Sequence, residues 1–351
     1  MRIVTLEEHV CFPDLVRQYL PGAGRHSTDP LAPQQANPLA PPQADPLAPP
    51  QADPLGSLLT GPLAPLLADV DGARLDAMDQ HGITYQVLSV VGPGAEALEG
   101  PEGVNMARAY NDRLAAEIQH HPDRFGAFAH LPMALPWAAA DELDRTVSEY
   151  DFKGALIKGM TQGVFLDDPA YAPLLERAAR LDVPLYLHPG PPPPAVDKAY
   201  FSGLPKGAGL QLSLSGWGWH AETALHVLRL IVSGTFDKFP DLRIIIGHNG
   251  EMLPMMMARI DEKFKVGATG LQQRSVSRTL RDQVFVTTSG MFTLTPLQAA
   301  IDTFGIERVL FSVDYPFSTL EEGRRFLDGL PLDKEAKMLL AHANAERVLA
   351  I

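Results

Sequence analysis

Cysteine is nearly absent from this chain: Cys11 is the single one among 351 residues. No intramolecular disulfide can form and no thiolate-built metal site exists, which fits a reducing cytoplasm. Long apolar runs are missing too. None approaches the roughly 20 residues that span a bilayer, and the opening Met1-Arg2-Ile3-Val4-Thr5-Leu6 lacks the apolar stretch of a secretory signal. Cations are scarce, with 29 Lys and Arg against 42 Asp and Glu and a net charge of −13. Phosphate backbones reward clustered Lys and Arg, so nucleic acid is excluded as the main partner. No Gly-rich phosphate loop follows any apolar run, which removes the usual mark of a dinucleotide-binding sheet. The expectation is a cytoplasmic protein with neither nucleic acid nor membrane as partner.

What is present is an ordinary globular composition, 46% hydrophobic and 20% charged, with one anomaly. From Asp29 to Leu55 the text repeats every eight residues: DPLAPQQA, NPLAPPQA, DPLAPPQA, then DPLG. Proline at that density cannot sit inside a helix or a sheet, so the segment reads as an extended, mobile insertion within 28–60. Elsewhere short apolar runs alternate with amphipathic stretches. The runs are Ile3–Glu7, Tyr85–Val90, Phe125–Leu131, Gly154–Lys158, Pro184–His188, Arg243–His248, Val284–Ser289 and Val309–Asp314. Helical spacing between them predicts helices such as Val104–His121, Ala221–Ser233, Met252–Phe264 and, last, Leu332–Leu349. Continuous apolar strands alternating with helices imply a parallel sheet covered by helices. Eight such units predict an α/β fold of the (β/α)8 TIM-barrel type over 1–351, with the Pro-rich insertion after the first strand. An open doubly wound sheet is the alternative.

The polar residues at the strand ends carry the chemistry. Glu7 closes the first strand with His9 just beyond it; His188, His248 and Asp314 close the fifth, sixth and eighth. In a barrel these ends converge on one face. The Glu-x-His spacing turns Glu7 and His9 the same way along an extended chain and Glu8 the opposite way. Two imidazoles and two carboxylates from among these residues make a mixed set suited to Zn²⁺ or Mn²⁺. Gly247-His248-Asn249-Gly250-Glu251 puts Glu251 within reach of His248, an acid/base or substrate-polarising pair beside the metal. A capped turn entering the next helix is the plainer account of the same residues. His130 and His220 stand open between lining the pocket and a structural role.

At these residues the sequence resembles the amidohydrolase-related, metal-dependent non-oxidative decarboxylases, such as γ-resorcylate and 2,3-dihydroxybenzoate decarboxylases and, more distantly, aminocarboxymuconate-semialdehyde decarboxylase. The landmarks are LEEH at 6–9, PDRF at 122–125, GALIKG at 154–159 and VPLYLHP at 183–189. They continue with ETALHVLRLIVSGTFDKFPDLRIIIGHNGEMLP at 222–254, TTSG at 287–290 and VLFSVDYPF at 309–317. The resemblance implies Glu7, His9, His188 and Asp314 as metal ligands and His248–Glu251 beside the substrate, with Asp314 as the proton donor. It also implies that Trp217, Arg259 and Phe317 shape the pocket or a subunit contact, that the substrate is a small aromatic carboxylate, and that the enzyme is a homodimer or homotetramer. Lys158 departs from the pattern, since the closest decarboxylases look more like Asn there. A carboxylated lysine at that strand bridges two metals in hydrolases of the wider superfamily, so Lys158 keeps a hydrolase or hydratase reading open. A scaffold displaying the Pro-rich repeats is the non-enzymatic alternative, and it leaves the ligand set unexplained.

Overall fold

The computed structural model describes residues 1–21, 58–92 and 94–351; the repeats of 29–55 lie outside them. Its frame is a ring of parallel strands: β1 (Val4–Val10), β2 (Tyr85–Val90), β3 (Phe125–Ala127), β4 (Ala129–His130), β5 (Ala155–Lys158), β6 (Leu185–His188), β7 (Ile244–Ile246), β8 (Val284–Thr287) and β9 (Val309–Leu310). Hydrogen bonding runs β1-β2-β3 and then β4 through β9 in sequence order. The third expected strand is split at Phe128, where the chain passes from one neighbour to the next. Phe128 N–H donates to Leu88 (2.9 Å), while Ala129 N–H donates to Gly154 (2.8 Å). Counted as one strand, the two pieces make eight, and His9 N–H donating to the Tyr315 carbonyl at 2.7 Å joins the first strand to the segment that follows the last.

The apolar runs are continuous because both faces of each strand are covered. Ile245 packs inside the barrel with Val4, Leu6, Val87, Leu156, Tyr186, Phe285 and Leu310. Its neighbours Ile244 and Ile246 pack outside against the helix layer. Each such fully buried side chain contributes about 1.5–3 kcal/mol. The layer includes the helices Gly100–Ile118, Pro136–Tyr150, Gly218–Val232, Leu253–Lys263 and Leu294–Phe304.

Other element bounds differ from the sequence reading: β1 runs past Glu7 to Val10, so His9 lies inside it, and β7 stops at Ile246, two residues short of His248. β9 ends at Leu310 instead of Asp314, because side chains replace the ladder beyond it: Ser312 N–H donates to Thr288 Oγ1 (3.0 Å) and Val313 N–H to Glu8 Oε1 (3.0 Å). The last helical pattern is broken by a π turn, Leu339–Ala343, whose Leu340 carbonyl accepts from Phe311 N–H at 3.0 Å. Widening the turn releases that carbonyl from the helix. Among the described residues no helix is long and apolar enough to cross a membrane.

Candidate metal centre and active site

The site begins with a register slip. Thr5 pairs with Gln86 and Glu8 with Leu88, so β1 spends three residues where β2 spends two. Such a bulge resets which side chains face inward. Val4 and Leu6 face in before it; after it Glu7 and His9 face the site and Glu8 turns to the seam with the last strand. Glu7 lies against the barrel top, where Tyr186 Oη and Thr287 Oγ1 (3.1 Å) both donate to its Oε2. The approach requires glycine at 247, where a Cβ would stand 2.9 Å from Glu7 Oε2.

Glu7, His9 and His188 each offer an atom lying within 4.8 Å of the others'. His188 Nδ1 donates to its neighbour's carbonyl, Pro189 O, at 2.8 Å, which leaves Nε2 as a lone pair 3.5 Å from Glu7 Oε1. His9 Nδ1 meets Ser89 Oγ at 3.1 Å, and that hydroxyl reaches on to the Glu8 carbonyl. Its Nε2 is thereby free and lies 3.1 Å from Asp314 Oδ1. Glu7 Oε1 and His9 Nε2 are buried and have no hydrogen-bond partner. Orphaned buried polar atoms cost about 1–3 kcal/mol each, and two that converge are relieved together by a cation. The donor set therefore fits a divalent ion. Burial pushes the His9 and His188 imidazoles down to about 4, so both present neutral rings at pH 7. Burial alone would raise Glu7, but His248, His188 and His9 outweigh it and hold its carboxyl down at about 2. Asp314 goes the other way: burial and the Glu7 carboxylate push it up to about 7.

Beside this set the chain makes a tight left-handed turn. His248, Asn249 and Glu251 have φ of 52, 54 and 52°, and Met252 has 66°. Non-glycine residues adopt this conformation at a cost of roughly 1–2 kcal/mol each, strain that concentrates at functional sites. The turn brings Glu251 Oε1 to 2.7 Å from His248 Nδ1 and Oε2 to 2.6 Å from His220 Nδ1. The two rings meet edge to face at 4.6 Å. Burial opposes charge on His248, yet Glu251 and Glu7 overcome it and push the imidazolium up to about 10. Its Nε2 points back at Glu7 Oε1, 3.9 Å away.

The amidohydrolase family profile matches residues 63–351. The chain belongs to the amidohydrolase family. It is 41% identical over 296 residues to "Decarboxylase orsB" of Emericella nidulans, covering 81% of this chain and 87% of that one. It is 37% identical over 295 residues to a γ-resorcylate decarboxylase of Rhizobium sp., covering 81% and 88%. A solved dihydroxybenzoic acid decarboxylase of Polaromonas sp. JS666, with bound manganese and the inhibitor 2-nitroresorcinol, superposes with a TM-score of 0.81. Its identity is 31%, over 99% of this chain and 97% of that one.

Within this amidohydrolase the remaining expected residues fall in different places. Lys158 is in register with His188 across β5 and β6, but its ammonium donates to Gly92 O at 2.7 Å and pairs with Glu96. His130 Nε2 lies 3.3 Å from the same carboxylate and accepts from Ala95 N–H at 2.9 Å. Lys158 and His130 hold Glu96 well below the usual carboxylate range against the opposing effect of burial. Phe317 packs against His9, ring centres 5.6 Å apart. Trp217 is 55% exposed, and Arg259 is exposed and paired with Glu262; neither touches the four acid and imidazole groups within this chain. Instead Trp219 packs on His188 at 6.4 Å. Sequence reasoning left His220 open, and the structure joins it to Glu251. His220 stands in the first turn of the helix Gly218–Val232, two residues before the block of resemblance at 222–254.

Proposed function

We propose that this amidohydrolase is a metal-dependent carboxy-lyase that removes CO2 from a hydroxylated aromatic carboxylic acid. Two unpartnered buried atoms, Glu7 Oε1 and His9 Nε2, support it: Glu7 and His9 cluster with His188, and Asp314 Oδ1 lies 3.1 Å from His9 Nε2. Glu7, His9, His188 and Asp314 would hold one divalent ion, zinc or manganese. That ion would supply positive charge to a substrate carboxylate and an ortho hydroxyl.

The chain's own groups supply the proton. Loss of CO2 from an aromatic ring requires a proton at the ring carbon that bore the carboxylate, which transiently breaks aromaticity and is the hard step. Asp314, raised toward neutrality by burial and Glu7, is the group that delivers it. Its ligand and acid roles are coupled, so the pair with Glu7 titrates as a unit. His248, kept cationic by Glu251, faces Glu7 and the reacting ring and offsets negative charge there. Phe317 and Trp219 line the mouth with aromatic surface suited to a flat ring.

Lys158, whose ammonium is engaged by Glu96 and Gly92, favours a single ion over a lysine-bridged pair. It also favours decarboxylation over hydrolysis, and it leaves Lys158 as a cation at the rim of the substrate pocket. A second copy of the chain is the partner we assign, in a homodimer or homotetramer. The exposed Met255 and Met256, on the same helix as Arg259, and the exposed Trp217 support an apolar contact of that kind. The test is metal analysis of purified protein followed by a CO2-release screen over hydroxybenzoates with that metal restored. One ion per chain and release from an ortho-hydroxy acid are expected. Two ions, with hydrolysis of amides or esters and no CO2, would overturn the reading.

A further inference from the structure

We infer that Glu8 is a positioning residue for the reaction: its carboxylate grips the backbone on both sides of Asp314 and aims that side chain at His9 and the substrate.

The bulge in β1 makes this possible, since it sends Glu7 and His9 into the site and Glu8 between them to the seam. Glu8 Oε1 accepts from Val313 N–H at 3.0 Å and from Ser312 Oγ at 3.1 Å. Its Oε2 accepts from Tyr315 N–H at 3.2 Å and from Gln86 Nε2 at 3.5 Å. One carboxylate therefore holds the amides immediately before and after Asp314. The residue between them has φ of 70°, a left-handed backbone that relaxes toward negative φ unless its neighbours are fixed. Ser312 extends the grip, because its Oγ accepts from Leu6 N–H at 3.1 Å and Glu7 N–H at 2.6 Å. Behind the clamp, buried Arg74 donates from Nη2 to the His9 carbonyl at 2.6 Å and stacks on the Tyr315 ring at 4.8 Å. It thus places a cation near the Glu8 carboxylate. The strand that carries Glu7 and His9 and the turn that carries Asp314 are locked in one register by a side chain that sits between them and points away from the site. Glu8 is fully buried, and its two oxygens accept four hydrogen bonds. A purely apolar filler at that seam would leave the two amides unsatisfied.

Glu8→Gln is close to isosteric, but its amide nitrogen must face one of the two N–H donors, which opens one jaw of the clamp. Glu8→Asp keeps a carboxyl at the seam and is one methylene too short to span both amides. This inference rests on the decarboxylase reading for its kinetic arm and not for its exchange arm. With an active hydroxybenzoate, both variants should keep wild-type metal content and a KM close to wild type. Their kcat should fall roughly 10–100-fold, as when a partner that orients a ligand is lost. Hydrogen–deuterium exchange of the peptide spanning residues 311–317 should speed up in both variants without change in the β6 and β7 peptides. A folded variant with wild-type kcat per bound metal overturns the positioning role. Unchanged exchange at 311–317 overturns the clamp itself, whatever the enzyme's substrate proves to be. Failure of the wild type to release CO2 from any hydroxybenzoate counts against the functional reading alone. Should Glu8→Gln fail to fold, Glu8→Asp carries both arms.

Discussion

His248 Nδ1 lies 2.7 Å from Glu251 Oε1 across a turn whose backbone is left-handed at both residues. The strain is tolerated because the turn is held elsewhere: Asn249 Nδ2 donates to Met291 O at 3.2 Å, and Gly250 packs so closely that a Cβ there would stand 2.8 Å from Phe304. Glu251 also meets His220, so one buried carboxylate serves two imidazoles. Removing its charge should uncouple His248 from its cationic state. Glu251→Gln is expected to lower turnover roughly 10–100-fold, the loss usual for a partner that orients a catalytic group, with metal content preserved. Steady-state rates normalised to bound metal check this, and an unchanged rate would remove His248–Glu251 from the chemistry.

Asp314 is expected to be the most sensitive position. Asp314→Asn keeps the size of the side chain and an oxygen for the metal but cannot deliver the carboxyl proton. Turnover should fall by roughly 10²–10⁴-fold, the range for loss of a general acid, while the hydroxybenzoate substrate still binds within a few-fold of wild type. Calorimetric titration beside a CO2-release assay separates the two quantities. Near-normal release would transfer the proton-donor role to another group.

The ring of strands was legible because its pattern is local. Ile244–Ile246 and Leu185–His188 read as buried strands from their own residues, and the ligand types at their ends followed. The strand splice at Phe128, the early end of β9 and the π turn at Leu339–Ala343 were not legible. Each depends on hydrogen bonds between residues far apart in the chain, such as Phe311 N–H to Leu340 O. Short helices such as Pro194–Tyr200 and Ala208–Ser213 also escaped, since neither carries the apolar periodicity of a packed helix. At the site, alternation alone gives Glu7 and His9 one face and Glu8 the other. Keeping that face inward after Leu6 needs the bulge, which has no signature in LEEH. Trp219 rather than Trp217 against His188 is a matter of helix phase at Gly218, and His220 gained its role only when the turn at 248–251 came to meet it.

Metal removal should change stability as well as activity. Chelation leaves Glu7 Oε1 and His9 Nε2 buried without a partner, so the metal-free chain should melt at a lower temperature and recover with Zn²⁺ or Mn²⁺. At free metal 100 times its dissociation constant the gain is about 2.7 kcal/mol. His188→Ala should bind less metal and show a smaller difference between the two states. Thermal melts with and without chelator measure this, and coincident melts for the wild type would argue against a cation at these residues.

The pH dependence of the metal-free chain has a sign that can be worked out. His9, His188 and His226 are each depressed from 6.5 to about 4, first of all by burial. Between those values the unfolded chain binds protons that the folded chain refuses, so stability rises with pH there and is lost on acidification. Asp314 and Glu8 oppose this, because burial first of all raises their folded values to about 7 from 3.8 and to about 8 from 4.5, and their contributions are lost as pH rises through those ranges. Three histidines against two carboxyls leave the net slope positive from about pH 4 to 6. His248, raised to about 10, contributes fully throughout that window and loses its share only at higher pH. Denaturant midpoints of chelated protein should therefore be lower at pH 5 than at pH 6.5, and the metal-loaded protein should show a steeper fall, since protons compete with the ion for His9 and His188. A midpoint that is flat or higher at pH 5 would mean that these imidazoles are not held neutral by burial, and the ligand set would lose its two nitrogen donors.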